Sequence, residues 1–273
     1  MLSIAQKKIK NKIKIVALVL LGIYIMIGTS LYYLQEKLMF FPTILEDNYT
    51  YNFNYPFEEL FLKTDDSAVI NAIHFKNENP KGIILYLHGN AGDLSRWGKI
   101  TEYFVAFQYD VLVIDYRTYG KSKGILSEEA FYNDAQYCYN YILNNYKENQ
   151  ITIYGRSLGT GIATYLASKN KPKQLILETP YYSINDVAKD RFPIFPVSKF
   201  LKYKFPTYSY ITNVSCPIAI FHGTEDSVVP LSSAKKLYKE ANANISFYII
   251  EEGSHNNLVE YKEYQLQIEK LLQ

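Results

Sequence analysis

From Ile15 to Leu34 the chain runs for twenty positions without a charged side chain. As a helix rising 1.5 Å per residue, such a run reaches about 30 Å, the thickness of a bilayer's hydrocarbon core. Lys7, Lys8, Lys10, Lys12 and Lys14 precede it, and only Lys37 follows closely. The positive-inside tendency therefore expects residues 1–14 in the cytoplasm and everything after the run on the exported side, periplasmic or extracellular. A cleaved signal peptide shares the basic start and could use Gly28-Thr29-Ser30, but its apolar region is shorter, about 7–15 residues. Residues 15–34 are accordingly read as an uncleaved signal anchor, a single transmembrane helix.

Beyond the anchor the pattern changes. Apolar and polar positions alternate over 59–63 and 69–75, and Asp65-Asp66-Ser67 lies between them, which predicts a β-hairpin. Short, almost continuous apolar runs follow at 82–89, 110–116, 151–155, 174–180, 217–223 and 245–251. Runs of this length suit strands covered on both faces of a parallel sheet. Amphipathic stretches at 96–107, 127–146, 158–169, 231–241 and 256–271 alternate with them. This order predicts one α/β domain over 35–273 with a mostly parallel sheet flanked by helices. The interval 181–215 breaks the rhythm. It is rich in aromatics and lysines, carries Pro193, Pro196 and Pro206, and is too long for an ordinary connection. It is expected to be an insertion that caps one edge of the sheet.

Composition narrows the partners. With 273 residues, 48% hydrophobic, the chain can bury a sizeable core, and a net charge of +2 without a dense basic stripe in its body argues against nucleic acid. Cys138 and Cys216 are too few for a disulfide framework and lack metal-ligand spacing, so both are expected as buried thiols. His74, His88, His222 and His255 form no metal-binding motif.

Chemistry concentrates around YGRSLGTG at 154–161. The apolar run at 151–154 ends there and a helical pattern begins at Leu158, so Ser157 falls on a sharp strand-to-helix turn, the context of a nucleophile elbow. The helix start also points the backbone N–H of Leu158 toward developing negative charge. A serine hydroxyl needs a base to take its proton and an acid to orient that base. On this fold the order is serine, acid, histidine. Asp226 follows in the loop after the 217–223 run, within HGTEDSVVP, and His255 follows the last strand, within EEGSHNN. Glu225 competes as the acid, but the loop register favours Asp226. His222 and His88, each before a glycine at a strand end, are read as turn-holding groups, and His74 as an ordinary hairpin residue. A second oxyanion donor is expected from LHGNAGD at 87–93, through the N–H of Asn90 beside Gly89. Arg156 either attracts an anionic substrate group or anchors the elbow. GKS at 120–122 is not a phosphate loop, since Asp115 stands where that motif needs glycine, and Gly159-Thr160-Gly161 lacks the third glycine of a dinucleotide site.

With LQEKLMFFP, LHGNAGD, DYRTYGKSKG, YGRSLGTG, HGTEDSVVP and GSHNN together, the chain resembles the α/β-hydrolases, most closely the membrane-anchored branch grouped with serine aminopeptidase-like and lysophospholipase-like domains. The resemblance covers nearly everything after Gln35. It departs at Thr118, where relatives carry glycine, and it lacks the N-terminal cysteine cluster of depalmitoylating members. It implies cleavage of an ester, thioester or amide through an acyl-enzyme on Ser157, with Asp226 and His255 completing the triad and no metal or organic cofactor. A small-molecule or lipid acyl substrate is the implied partner. The cap aromatics Tyr181, Tyr182, Phe192, Phe195, Phe200, Tyr203 and Phe205 either line an acyl pocket or pack the cap onto the body. An acyltransferase would use the same triad, and a membrane-tethered binding module is the non-catalytic alternative.

Overall fold

The protein is described here from a computed structural model covering residues 4–65, 68–242 and 244–273. The Asp66-Ser67 part of the expected hairpin turn lies outside these residues.

The first helix, α1 (Ile4–Met39), runs for 36 residues and so exceeds the apolar stretch at both ends. Lysine, glutamine and glutamate are good helix formers, so the polar flanks continue the helix. It stops where Phe41-Pro42 becomes a short strand, β1 (Phe41–Pro42). A span of mean hydropathy 2.2 makes α1 long and apolar enough to cross a membrane. Side chains from Gln6 to Ile27 are exposed, and α1 meets the rest of the protein along its C-terminal half, from Tyr24 onward.

The hairpin forms from β2 (Phe57–Asp65) and β3 (Ala68–Phe75), paired antiparallel. Half-exposed alternation marks β2 as the edge strand, with Glu58 and Lys63 discouraging further pairing. Then come β4 (Ile83–Leu87), the short β5 (Ala91–Gly92), α2 (Leu94–Val105) and β6 (Asp110–Ile114). The chain continues through α3 (Glu128–Leu143), β7 (Ile151–Arg156), α4 (Leu158–Lys169) and β8 (Gln174–Glu178). The expected insertion holds three short helices, α5 (Ile184–Arg191), α6 (Val197–Phe200) and α7 (Thr207–Ile211), the last two each starting directly after a proline. Finally β9 (Ile218–Gly223), α8 (Leu231–Glu240), β10 (Ile245–Ile250) and α9 (Lys262–Leu271) complete the chain.

Eight strands form one sheet in the order β10-β9-β8-β7-β4-β6-β3-β2, parallel except at β3 and β2. The apolar runs become strands because every second side chain enters one of two cores. Ile83, Leu85 and Leu87 face the core made with α3, α4 and α8, whereas Ile84 and Tyr86 face the core made with α2 and α9. Cys138 and Cys216 are both buried free thiols.

The start of the last helix also differs from the sequence expectation. The last helix begins at Lys262 rather than 256, with only a single 3-10 turn at 258–260 before it. Residues 253–257 are instead held as a loop: Gly253 O accepts from Glu225 N at 2.9 Å, and Asn257 Oδ1 accepts from Ser254 N at 2.7 Å. That loop carries His255.

Candidate active site

Ser157 stands between β7 and α4 with φ 50° and ψ −116°, a left-handed conformation that a non-glycine residue adopts only when its surroundings impose it. The imposition is visible. Ser157 N donates to Glu178 O at 2.9 Å, and α4 is pressed against the end of β4 so closely that a Cβ on Gly159 would lie 2.0 Å from Leu87 O. A Cβ on Gly155 would likewise lie 2.6 Å from the Cβ of Ala163. Glycines thus let the turn close, and the closed turn presents the hydroxyl at the carboxyl end of the sheet.

The loops after β9 and β10 meet that hydroxyl. His255 Nε2 lies 2.9 Å from Ser157 Oγ, and His255 Nδ1 lies 2.7 Å from Asp226 Oδ2. An ionised carboxylate only accepts, so Nδ1 carries the proton and leaves the Nε2 lone pair facing the serine. The other oxygen, Asp226 Oδ1, accepts from Val228 N and Val229 N, both at 2.8 Å. Burial pushes the Asp226 carboxyl up, but the hydrogen bond and charge of His255, with Val229 N–H and His222, outweigh it and hold the group below the usual aspartate value. Glu225, the competing acid, is exposed, and it is Asp226 that reaches His255.

His222 and His88 sit where they hold turns, as their positions before glycine at strand ends led one to expect. His222, fully buried, donates from Nε2 to Val229 O at 2.9 Å and so braces the loop that carries Asp226. Burial depresses its pKa, with His255 adding to the effect and Val229 O and Asp226 opposing it. His88 donates from Nδ1 to Gly89 O at 2.6 Å, stacks on Trp97 and faces Asp115 at 3.2 Å. His74, on β3 of the hairpin, is buried with its Nε2 3.7 Å from Asp110 Oδ2.

Asn90 and Leu158, the expected oxyanion donors, line one cavity with Ser157. Among the described residues, neither backbone N–H donates to a protein group. The rest of Asn90 is tied down: its carbonyl accepts from Phe41 N at 2.8 Å and from Tyr119 OH at 2.9 Å, and its side chain donates to Met39 O at 2.9 Å. The segment just after α1 therefore fixes the loop that carries Asn90. A Cβ on Gly89 would stand in ordinary contact with the Trp97 ring at 3.4 Å and the Ser157 Cβ at 3.6 Å, so Gly89 lies directly beside the nucleophile.

Arg156 anchors the elbow. Its Nε lies 3.2 Å from Glu178 Oε1, its guanidinium stacks over Trp97, and its side chain is 6% exposed. Lys121 of the GKS triplet is equally occupied, pairing with Glu59 at 2.9 Å. Thr118 has φ 73°, a backbone conformation that glycine adopts without steric cost.

The cavity above Ser157 measures about 460 Å³ and is mostly apolar. Of the insertion's aromatics, Tyr181, Phe192, Phe195 and Phe200 line it. Tyr203 and Phe205 are packed in the core, and Tyr182 stacks on Tyr208, so the two expectations for this group divide residue by residue. Sequence reasoning missed the opposite wall, which comes from α1: Gly28, Leu31, Tyr32, Gln35, Leu38 and Met39. A uniformly apolar run conceals which face is covered. Gln35, buried on that wall, is followed by Glu36 and Lys37, so in the sequence it reads as the start of the polar flank.

Comparison with known proteins agrees with the fold. The family described as serine aminopeptidase, S33, matches residues 78–213. An uncharacterized protein of Acanthamoeba polyphaga mimivirus is 33% identical over 223 residues, covering 72% of this chain and 75% of its own length. The lysophosphatidylserine lipase ABHD12 of Danio rerio is 34% identical over 185 residues, 60% of this chain but 48% of its own, so the chain spans about half of that relative. Among solved structures, an esterase of Pyrococcus furiosus superposes with a TM-score of 0.68 at 18% identity, over 86% of this chain and 97% of the esterase. Acetyl xylan esterase 1 of Thermoanaerobacterium gives 0.64 at 16% identity, over 82% and 86%.

Proposed function

The chain belongs to the α/β-hydrolase superfamily, and from that premise we propose that it is a membrane-anchored serine hydrolase that cleaves lipid-like acyl esters through Ser157, Asp226 and His255. The hydrogen-bonded line Asp226–His255–Ser157, with distances of 2.7 Å and 2.9 Å, carries this reading, because it opens onto an apolar cavity. Ser157 Oγ attacks the acyl carbonyl while His255 Nε2 takes its proton. Asp226 holds the imidazole in the tautomer that can accept, and stabilises the imidazolium once it forms. The N–H groups of Asn90 and Leu158 receive the oxyanion. His255 then returns its proton to the leaving oxygen, and the ester bond breaks to leave an acyl-serine. Water, deprotonated by His255, attacks that acyl group, and the serine regains its proton as the acid departs.

Substrate class follows from the cavity walls. Four aromatics of the insertion and the apolar face of α1 suit an alkyl chain, and the relatives named as lysophosphatidylserine lipases act on such molecules. The insertion over 181–215 serves as the cap of the 35–273 domain. Residues 15–34 of α1 span the bilayer, with the lysine-rich start in the cytoplasm and the hydrolase body on the exported side. Full-length protein in detergent, assayed with p-nitrophenyl esters of increasing chain length, tests this. Turnover that rises with chain length and vanishes in Ser157→Ala supports the reading. Absence of ester turnover in folded protein overturns it, and appearance of a transferred acyl product with an added alcohol would favour an acyltransferase.

A further inference from the structure

The anchor helix touches the rest of the protein along one stripe. Among the described residues of α1 after Ile27, only Gly28, Leu31, Gln35 and Met39 lose most of their exposure, at the three- and four-residue spacing of a single helix face. That stripe is fastened to the insertion at several heights. Gln35 Oε1 accepts from Lys202 N at 2.8 Å, and Tyr203 OH donates to Glu36 at 3.1 Å. Further along α1, Tyr24 OH donates to Ile194 O at 3.1 Å, and its ring stacks on Phe195 with centroids 4.8 Å apart. The fastened length from Tyr24 to Gln35 is about 16 Å along the helix.

Between helix and insertion lies a trough made of two adjoining cavities. The cavity over Ser157 shares Gly28, Tyr32, Phe195 and Phe200 with a second cavity of about 440 Å³ that reaches Tyr24 and Ile25. Tyr24 lies about 15 Å inside the charge-free run as measured from Leu34. The tip of the insertion at that level reads Phe192-Pro193-Ile194-Phe195-Pro196, with Ile194 71% exposed. Lys189 and Arg191 precede it, and Lys199, Lys202 and Lys204 follow, all exposed. An apolar tip between basic flanks fits hydrocarbon below and phosphate headgroups above.

We propose that α1 is one wall of the acyl-binding site, and that the acyl chain of a membrane lipid reaches Ser157 from within the leaflet, along the seam between α1 and the 192–200 tip. The inference rests on the serine-hydrolase reading above and adds the route and the wall. In this arrangement the anchor selects substrate as well as location, because Leu31 and Gly28 set the width of the trough. A Cβ on Gly28 would stand in ordinary contact with the Phe195 ring at 3.7 Å, so side chains larger than alanine there would narrow it.

The test uses the full chain in phosphatidylcholine vesicles and a long-chain alkyl fluorophosphonate carrying a diazirine near the chain end. After Ser157 has reacted, irradiation is expected to cross-link the alkyl end to α1 within 24–32 and to 192–200. Cross-links confined to the body, with Ser157 modified, overturn the proposed route. An unmodified Ser157 removes the hydrolase reading and the route together, so the two failures are distinguishable. A second arm compares Leu31→Trp with Val19→Trp, which lies on the opposite, exposed face of the helix. The ratio of dodecanoate to butyrate ester turnover is expected to fall about tenfold or more in Leu31→Trp, as when a pocket loses room for several methylenes, and to hold in Val19→Trp. Equal ratios in both variants contradict the proposal.

Discussion

His255 Nε2 lies 2.9 Å from Ser157 Oγ although 98 residues separate the two in sequence. Neither loop makes this contact alone. The serine is pushed out by the strained turn after β7, and the histidine is carried in by the loop that delays α9. Contacts between those loops and their neighbours therefore bear on activity as directly as the reacting groups do.

Replacing Asp226 by Asn keeps the shape but lets the side chain donate, which favours the wrong imidazole tautomer. kcat is expected to fall by about three to four orders of magnitude with KM changed little. A fall of less than tenfold in steady-state ester assays would remove Asp226 from the proposed triad.

Arg156→Met separates anchoring from substrate attraction. It leaves Glu178 buried without its cation, and loss of one partner of a buried pair costs about 3–5 kcal/mol. Thermal unfolding is expected to move down accordingly, while KM changes by the same factor for neutral and anionic esters. A selective loss of affinity for anionic esters would reassign Arg156 to substrate binding.

Gly159→Ala forces a methyl group onto Leu87 O, where it would stand at 2.0 Å. Overpacking of this kind costs about 1–3 kcal/mol or more. Each kcal/mol corresponds to about 2–4 °C in Tm for chains of this size class. Both Tm and fluorophosphonate reactivity are expected to drop, because the displaced helix carries the Leu158 N–H.

His222 gives the protein an acid liability. Burial depresses its folded-state pKa, so the stability it preserves is complete above the unfolded histidine value, near pH 6.5, and is lost as pH falls toward the depressed one. In that window the unfolded chain gains a proton that the folded chain resists. His222→Gln retains a donor for Val229 O and removes the titration. The decrease in Tm between pH 7.5 and pH 5 is expected to be smaller in the variant than in the parent, and an equal decrease contradicts this account.

Much of this arrangement was legible before any coordinates. Strands such as Ile83–Leu87 and Ile151–Arg156 announce themselves as apolar runs because both their faces are covered, and the elbow shows because a glycine-flanked serine sits between a strand and a helix pattern. Order along the chain was enough to pick out Asp226 and His255. Three things were not legible. Arg156 had two readings because its partner, Glu178, is supplied by the register of β7 with β8, a long-range property. The start of α9 was misplaced because loop hydrogen bonds at Gly253 and Asn257 override helix propensity. The role of α1 as a cavity wall was hidden because a run apolar all round has no periodicity to mark its covered face.

The central claim is that Ser157 is an activated nucleophile, and the most direct test is fluorophosphonate labelling of the full chain in detergent with peptide mapping. The account expects one adduct, on Ser157, absent in Ser157→Ala and slowed by at least about a thousandfold in His255→Ala. An adduct elsewhere, or equal labelling with and without His255, would contradict it.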